Sequence, residues 1–147
     1  MTVHDLDILQ LGARGYCCAQ IIIKMALRLW DEENPMLVRA SGALCQGITG
    51  DGVCGAFTGA ACLLGCYAAK GDDQEKEDER LQLMLTELWQ WFTEHCAQRH
   101  SGHACKDIVP DGQIHPEVCG GLVSACYNKA LELLAINGFD PEYPNDR

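Results

Sequence analysis

Apolar residues recur at three- and four-residue intervals along almost the whole chain. The cleanest run is Leu81, Met84, Leu85, Leu88, Trp91, Phe92 and His95. An α-helix turns once in about 3.6 residues, so this spacing gathers those side chains on one face. No stretch alternates well enough to read as a half-buried strand. The expected fold is therefore all-α: a compact bundle of five to six helices in one cysteine-rich domain over residues 1–147, without internal repeats.

The spacing also places the elements. A short first helix is expected over residues 3–12, before Gly12 and Gly15. A second runs from Tyr16 to Trp30, with Cys18, Ile21, Ile22, Met25, Ala26 and Leu29 on one face. Asn34-Pro35 reads as a cap followed by proline in the first turn, opening a third helix through Leu44. Gly47, Gly50 and Gly52 mark a tight loop. A fourth helix follows over 53–70, rich in small residues (Gly55, Ala56, Gly59, Ala60, Ala61, Gly65). Neighbours can approach such a helix closely, so it belongs at the centre. The six acids between 71 and 80 read as a solvated linker and an acid-rich first turn. The fifth helix reaches Arg99, 100–115 reads as a loop, and Pro116 opens a sixth that Gly138 ends.

Charge narrows the partners. Acidic residues outnumber basic ones 21 to 11, a formal net charge of -10. Nucleic acid and anionic membrane surfaces both need clustered Lys and Arg, and neither is an expected partner. No apolar run is long enough to span a bilayer. The first seven residues, Met1 to Asp7, lack a basic segment followed by an apolar one, so no secretory signal is read and the expected compartment is the cytosol.

Ten cysteines in 147 residues are then the chemical signal. In a reducing compartment they point to redox chemistry or metal binding before structural disulfides. No C-x-x-C occurs, which removes thioredoxin-type motifs, zinc ribbons and covalent haem attachment. Placement says more. Cys18 lies in the opening turns of the second helix, Cys54 opens the fourth and Cys119 lies in the first turns of the sixth. Helix N-termini present unpaired amides and partial positive charge, and both favour a thiolate. Cys105, on the loop before the sixth helix, is placed to reach the same end. Cys54 is expected to face the surface and to be the most acidic thiol of the ten, because loop amides and helix dipole act on it together.

Other cysteines carry a plainer expectation. Cys62, Cys66 and Cys126 read as small buried hydrophobes, and Cys96 as packing at the end of the long stripe. Cys17 and Cys45 are left open between the two. His95, His100, His103 and His115 flank these cysteines, but they fit core or solvent roles better than ligand roles. The Gly-rich loop resembles an anion cradle without the Lys-Ser/Thr ending of a P-loop.

Three strings give a resemblance: Gly15-Tyr16-Cys17-Cys18-Ala19-Gln20, Ala40-Ser41-Gly42, and Gly52-Val53-Cys54-Gly55-Ala56-Phe57-Thr58-Gly59-Ala60, with lone cysteines following at 105 and 119. The chain resembles the redox-active protein family named for its C-GCAxxG-C-C signature. The resemblance implies a small helical protein whose four characteristic cysteines are Cys18, Cys54, Cys105 and Cys119. These are also the four that placement selects. The leading expectation is a thiol-based oxidoreductase in which the Cys54 thiolate attacks and a nearby cysteine resolves it as a disulfide, working with a redox partner protein or a small thiol or metal substrate. Two rivals stand beside it. One is an iron–sulfur cluster or zinc held by the same four, with Cys17 and Cys45 as extra ligands. The other is a non-catalytic helical interaction protein.

Overall fold

The structure is a computed structural model that describes residues 3–144. Met1 and Thr2, on which the N-terminal reading partly rests, lie outside the described residues. Seven α-helices are seen among the described residues: α1 (Val3–Ala13), α2 (Cys18–Leu29), α3 (Pro35–Gly42), α4 (Gly55–Ala68), α5 (Arg80–Ala97), α6 (Cys105–Ile108) and α7 (Pro116–Ile136), with a 3-10 turn at Cys45–Gly47. The class is all-α as expected, but the count of five to six is one short. The difference is α6, four residues long inside the expected loop. It is too short to show a period, and the Asp107 carboxylate fixes it by accepting the Ala104 amide at 3.2 Å.

Local chemistry sets most boundaries where the sequence put them. The Asn34 side chain accepts the Leu37 amide at 3.1 Å, and Pro35 occupies the first turn of α3. Pro116 opens α7, and Gly138, at φ +85°, ends it in a left-handed turn. The Gly47–Gly52 loop is as tight as its glycines require. The Gly52 amide donates to the Gly47 carbonyl at 3.0 Å, and a methyl group on either glycine would overlap the other's carbonyl.

The core fills with Leu11, Ile22, Leu63, Leu64, Met84, Phe92 and Leu134, all essentially inaccessible. The expectation that α4 is central holds. It packs on α2, α5 and α7, and its interface with α2 is the most extensive in the molecule. A methyl group at Gly59 would lie 2.9 Å from the Ala19 Cα, so the α2 backbone rests directly on this glycine. Cys96 and Cys126 are buried in the core, as read from the sequence. Cys62 is not: it is exposed, and Cys66 is only partly buried. Their one-turn spacing marks a shared face, but on a helix of small residues it does not say which face turns inward.

Contacts between elements fix the directions of the helices. Ile8 meets Gly120 and the His4 ring meets Tyr127, so α1 runs antiparallel to α7. Gln20 meets Val38 and Gly42, so α3 returns along α2. At the far ends of α2 and α4, Trp30 Nε1 donates to the Tyr67 hydroxyl at 2.8 Å and to the Pro141 carbonyl at 3.1 Å. The Tyr67 hydroxyl donates to the same carbonyl. Phe139, packed on Tyr67 and under the Arg80 guanidinium at 3.9 Å, extends this closure to the start of α5. Thus α2, α4 and α7 run parallel, and their N-termini share one end of the bundle. Among the described residues no helix is long and apolar enough to cross a membrane.

Candidate functional site

The shared end encloses a cavity of about 580 Å³. Its walls are largely apolar, with Ile8, Ile21, Ile108, Val109, Ile114 and Val123 contributing. Cys18, Cys54, Cys105 and Cys119 all line it, and so does Cys17. The four cysteines named from the sequence thus come together from four helix starts. All six pairs among them interact electrostatically. Cys54 feels Cys18, Cys105 and Cys119, Cys105 feels Cys18 and Cys119, and Cys18 feels Cys119.

The local backbone explains each position. Cys54 is the N-cap of α4, and its side chain makes no capping hydrogen bond. Its own amide donates to the His103 carbonyl at 3.0 Å. The Cys105 amide donates to the Gly52 carbonyl at 3.0 Å, and the Lys106 amide to the Gly50 carbonyl at 3.0 Å. These bonds stitch the Gly-rich loop to the Cys105 segment, and Lys106 adds an exposed ion pair with Asp51 at 3.3 Å. Cys119 sits in the first turns of α7, its amide bonded to the His115 carbonyl at 2.8 Å.

At Cys18 the neighbouring backbone of Gln46, Ala19 and Cys18 itself works against the burial that raises the thiol. Its sulfur rests where a methyl group on Gly55 would otherwise go, a point 3.2 Å from the Cys45 Cα. Gly55 therefore has to be glycine for Cys18 to pack there, just as Gly59 has to be for Ala19. The two glycines of the Cys-Gly-Ala-x-x-Gly string seat α2 against α4. Gln20 contributes too. Its side chain accepts the Cys17 amide at 3.3 Å and donates to the Val38 carbonyl at 3.1 Å, filling the space that Gly42 leaves open.

Two expectations fail here. Cys54 is only 8% exposed and does not face the surface. Burial pushes its thiol up to about 12, with the charges of its three cysteine neighbours adding to the rise, against the lowering by Ala56. It is not the most acidic thiol. Desolvation of a thiolate in an apolar wall outweighs one amide and a helix dipole. Burial likewise pushes Cys18 and Cys105 up.

The two cysteines left open by the sequence are joined: Cys17 and Cys45 form a disulfide, Cα to Cα 6.0 Å. It ties the N-cap of α2 to the 3-10 turn that carries Gln46. Sequence reasoning noted both cysteines but had no way to pair them, because their proximity depends on α3 folding back. It also missed Gln46. This residue sits at φ +57° between Cys45 and Gly47 and lines the cavity.

None of the four neighbouring histidines lines the cavity. His95 rests on Trp91, His103 on Trp89, and His115 pairs with Asp111 at 2.8 Å. Among the described residues, no three His, Cys, Asp or Glu side chains are arranged to hold a metal ion.

No curated protein and no solved structure matches the chain. Residues 16–133 match the family described as "Putative redox-active protein (C_GCAxxG_C_C)". That span starts just before Cys18, ends near the close of α7 and takes in all four cavity cysteines. The chain belongs to this family.

Proposed function

We propose that the cavity is a thiol–disulfide oxidoreductase site that reduces a small, largely apolar disulfide. The observation that carries this reading is the convergence of four free thiols on one apolar cavity. Cys18 takes the attacking role in place of Cys54, because it lines the cavity and is partly exposed where Cys54 is buried. Its sulfur attacks one sulfur of the bound disulfide. A mixed disulfide forms, and half of the substrate leaves as a thiol carrying the proton given up by Cys18. Cys54 then attacks the Cys18 sulfur. The second half leaves with the Cys54 proton, and a Cys18–Cys54 disulfide remains. Two electrons pass from protein to substrate. Cys105 and Cys119 keep two further thiols in the wall.

The same four cysteines are the donor set of the rival iron–sulfur or zinc reading. Both are tested on protein purified anaerobically, with Cys17 and Cys45 replaced by serine. Dithiodipyridine, a neutral aromatic disulfide, is added in substoichiometric amount. The reading expects two thiopyridone molecules per disulfide consumed and a Cys18–Cys54 crosslink in the peptide map. Release of one, with the other half left on the protein, overturns the paired chemistry. Bound iron or zinc that is lost in Cys18→Ser and Cys54→Ser overturns it in favour of a metal centre.

A further inference from the structure

Reducing a substrate leaves a disulfide inside the cavity, and the site works again only when that disulfide is removed. A Cys18–Cys54 bond offers a protein reductant one partly exposed sulfur at most, since Cys54 is buried and Cys18, partly exposed, lies against the 3-10 turn. The neighbouring pair is better placed. Cys17 lines the cavity directly before Cys18, and both Cys17 and Cys45 are partly exposed. Cys45 adjoins the Cys18 sulfur from the other side. The point on Gly55 that the sulfur covers lies 3.2 Å from the Cys45 Cα and 3.1 Å from the Leu44 carbonyl oxygen. Cys18 thus stands between the cavity thiols and the rim disulfide.

We propose that Cys17 and Cys45 form a second, exchanging redox pair, which takes the disulfide out of the cavity and presents it at the rim to a dithiol reductant. The inference rests on the thiol–disulfide reading of the cavity. The Cys45 thiolate attacks the Cys18 sulfur. A Cys18–Cys45 bond forms, the Cys18–Cys54 bond breaks, and Cys54 leaves as a thiolate that takes up the proton Cys45 gave up. Next the Cys17 thiolate attacks the Cys45 sulfur. A Cys17–Cys45 bond forms, and Cys18 is released and reprotonated by the proton from Cys17. One disulfide and two thiols enter and the same number leave, so the transfer needs no outside oxidant. The structure holds its end state: rim pair bonded, cavity thiols free. The direct adjacency of Cys17 and Cys18 in sequence gives Cys45 the bridging role, because it can bond to either in turn.

The test follows disulfides in time. Fully reduced full-length protein receives one equivalent of dithiodipyridine, and samples are quenched in acid, alkylated and peptide-mapped. In the unaltered chain the Cys18–Cys54 crosslink rises early and decays as Cys17–Cys45 grows. In Cys45→Ser the Cys18–Cys54 crosslink forms and stays. In Cys17→Ser the Cys18–Cys45 bond accumulates alongside Cys18–Cys54, because only the return attack of Cys54 removes it. In Cys18→Ser formation of the rim disulfide slows about ten-fold or more, since exchange through Cys18 is its route. Rim disulfide formation at the unaltered rate in Cys18→Ser, or no Cys18–Cys45 bond in Cys17→Ser, overturns the relay. The Cys17→Ser arm decides the matter on its own if Cys18→Ser fails to fold. Failure of Cys18–Cys54 to form even in Cys45→Ser removes the cavity reading itself, a result distinct from failure of the relay.

Discussion

Val53 and Ala104 pair as an isolated antiparallel bridge, the single piece of sheet-like pairing between the two loops at the cavity. Each lies directly before a cavity cysteine, Cys54 or Cys105, so one short bridge sets the positions of both. The segment after Ala104 is in turn fixed by the Asp107 carboxylate, which accepts the Ala104 amide and fills the space beside Gly102. Asp107→Ala removes that acceptor. Stability is expected to fall by about 1 kcal/mol, as for other lost helix caps, and Cys105 to be alkylated faster. Urea melts and mass-resolved alkylation measure the two; unchanged values for both detach Asp107 from the site.

The glycines of α4 divide into those that touch a neighbour and those that do not. At Gly59 a methyl group meets the Ala19 backbone, which cannot turn aside as a flexible side chain would. Gly59→Ala is expected to cost roughly 1–3 kcal/mol. At Gly65 the nearest atom is 4.0 Å away. Gly65→Ala is expected to gain about 0.5–1 kcal/mol through helix propensity. Thermal melts of both variants that move in the same direction contradict the packing described for α2 and α4.

Cys54→Ser is expected to stay within about 1 kcal/mol of the unaltered protein, although the residue is buried. The reason is its place as N-cap of α4, where the thiol makes no capping bond and a serine hydroxyl is a preferred cap for the free amides of the first turn. Cys126→Ser has no such compensation at an inaccessible position and is expected to cost roughly 1–3 kcal/mol. Substrate reduction is lost in the first variant and kept in the second. A stable, active Cys54→Ser removes Cys54 from the chemistry.

Alkylation of the reduced protein near neutral pH is expected to reach Cys62 first, because it alone of the free cysteines is exposed. Cys54 follows later, its thiol held protonated by burial, and Cys96 and Cys126 come last. Timed labelling with mass detection gives the order. Early labelling of Cys54 contradicts the closed cavity wall.

Stability should fall as the solution becomes alkaline. Burial pushes Cys54 up to about 12 and Cys66 up to about 11, against an ordinary value of 9.0 for each. Tyr127 moves the same way, from 10.0 to about 12. The folded chain therefore holds protons that the unfolded chain releases in this range. Their contribution is fully present below about pH 9 and is lost as pH rises toward the folded values. Urea melts of reduced protein at about pH 8 and about pH 10.5 measure the slope, and Cys66→Ala flattens it. A stability that rises over this interval contradicts the burial of these groups.

The sequence made some of this legible and hid the rest for physical reasons. Helix positions follow from periodicity and from Asn34, Pro35, Pro116 and Gly138, all of which act locally. The cavity cysteines were legible because helix starts are local too, and because the motif spacing repeats the family pattern. What escaped depends on distant contacts. Whether Cys62 faces in or out is decided by which sides of α4 its neighbours occupy. The acidity of Cys54 is decided by the apolar wall brought up by α1 and α7. The Cys17–Cys45 bond depends on α3 returning the chain to the start of α2.

The far end of the bundle has a consequence for the order in which the molecule is built. Pro141, which receives both Trp30 and Tyr67, is 111 residues from Trp30. The entropy of closing a loop grows with its length, so a contact between such distant residues forms late. During synthesis the segment around Pro141 also leaves the ribosome after all seven helices. Cys18, Cys54, Cys105 and Cys119 all emerge before it, so the thiols can gather while the opposite end still stands open. The clamp that makes the bundle rigid arrives after the pocket has its full set of sulfurs.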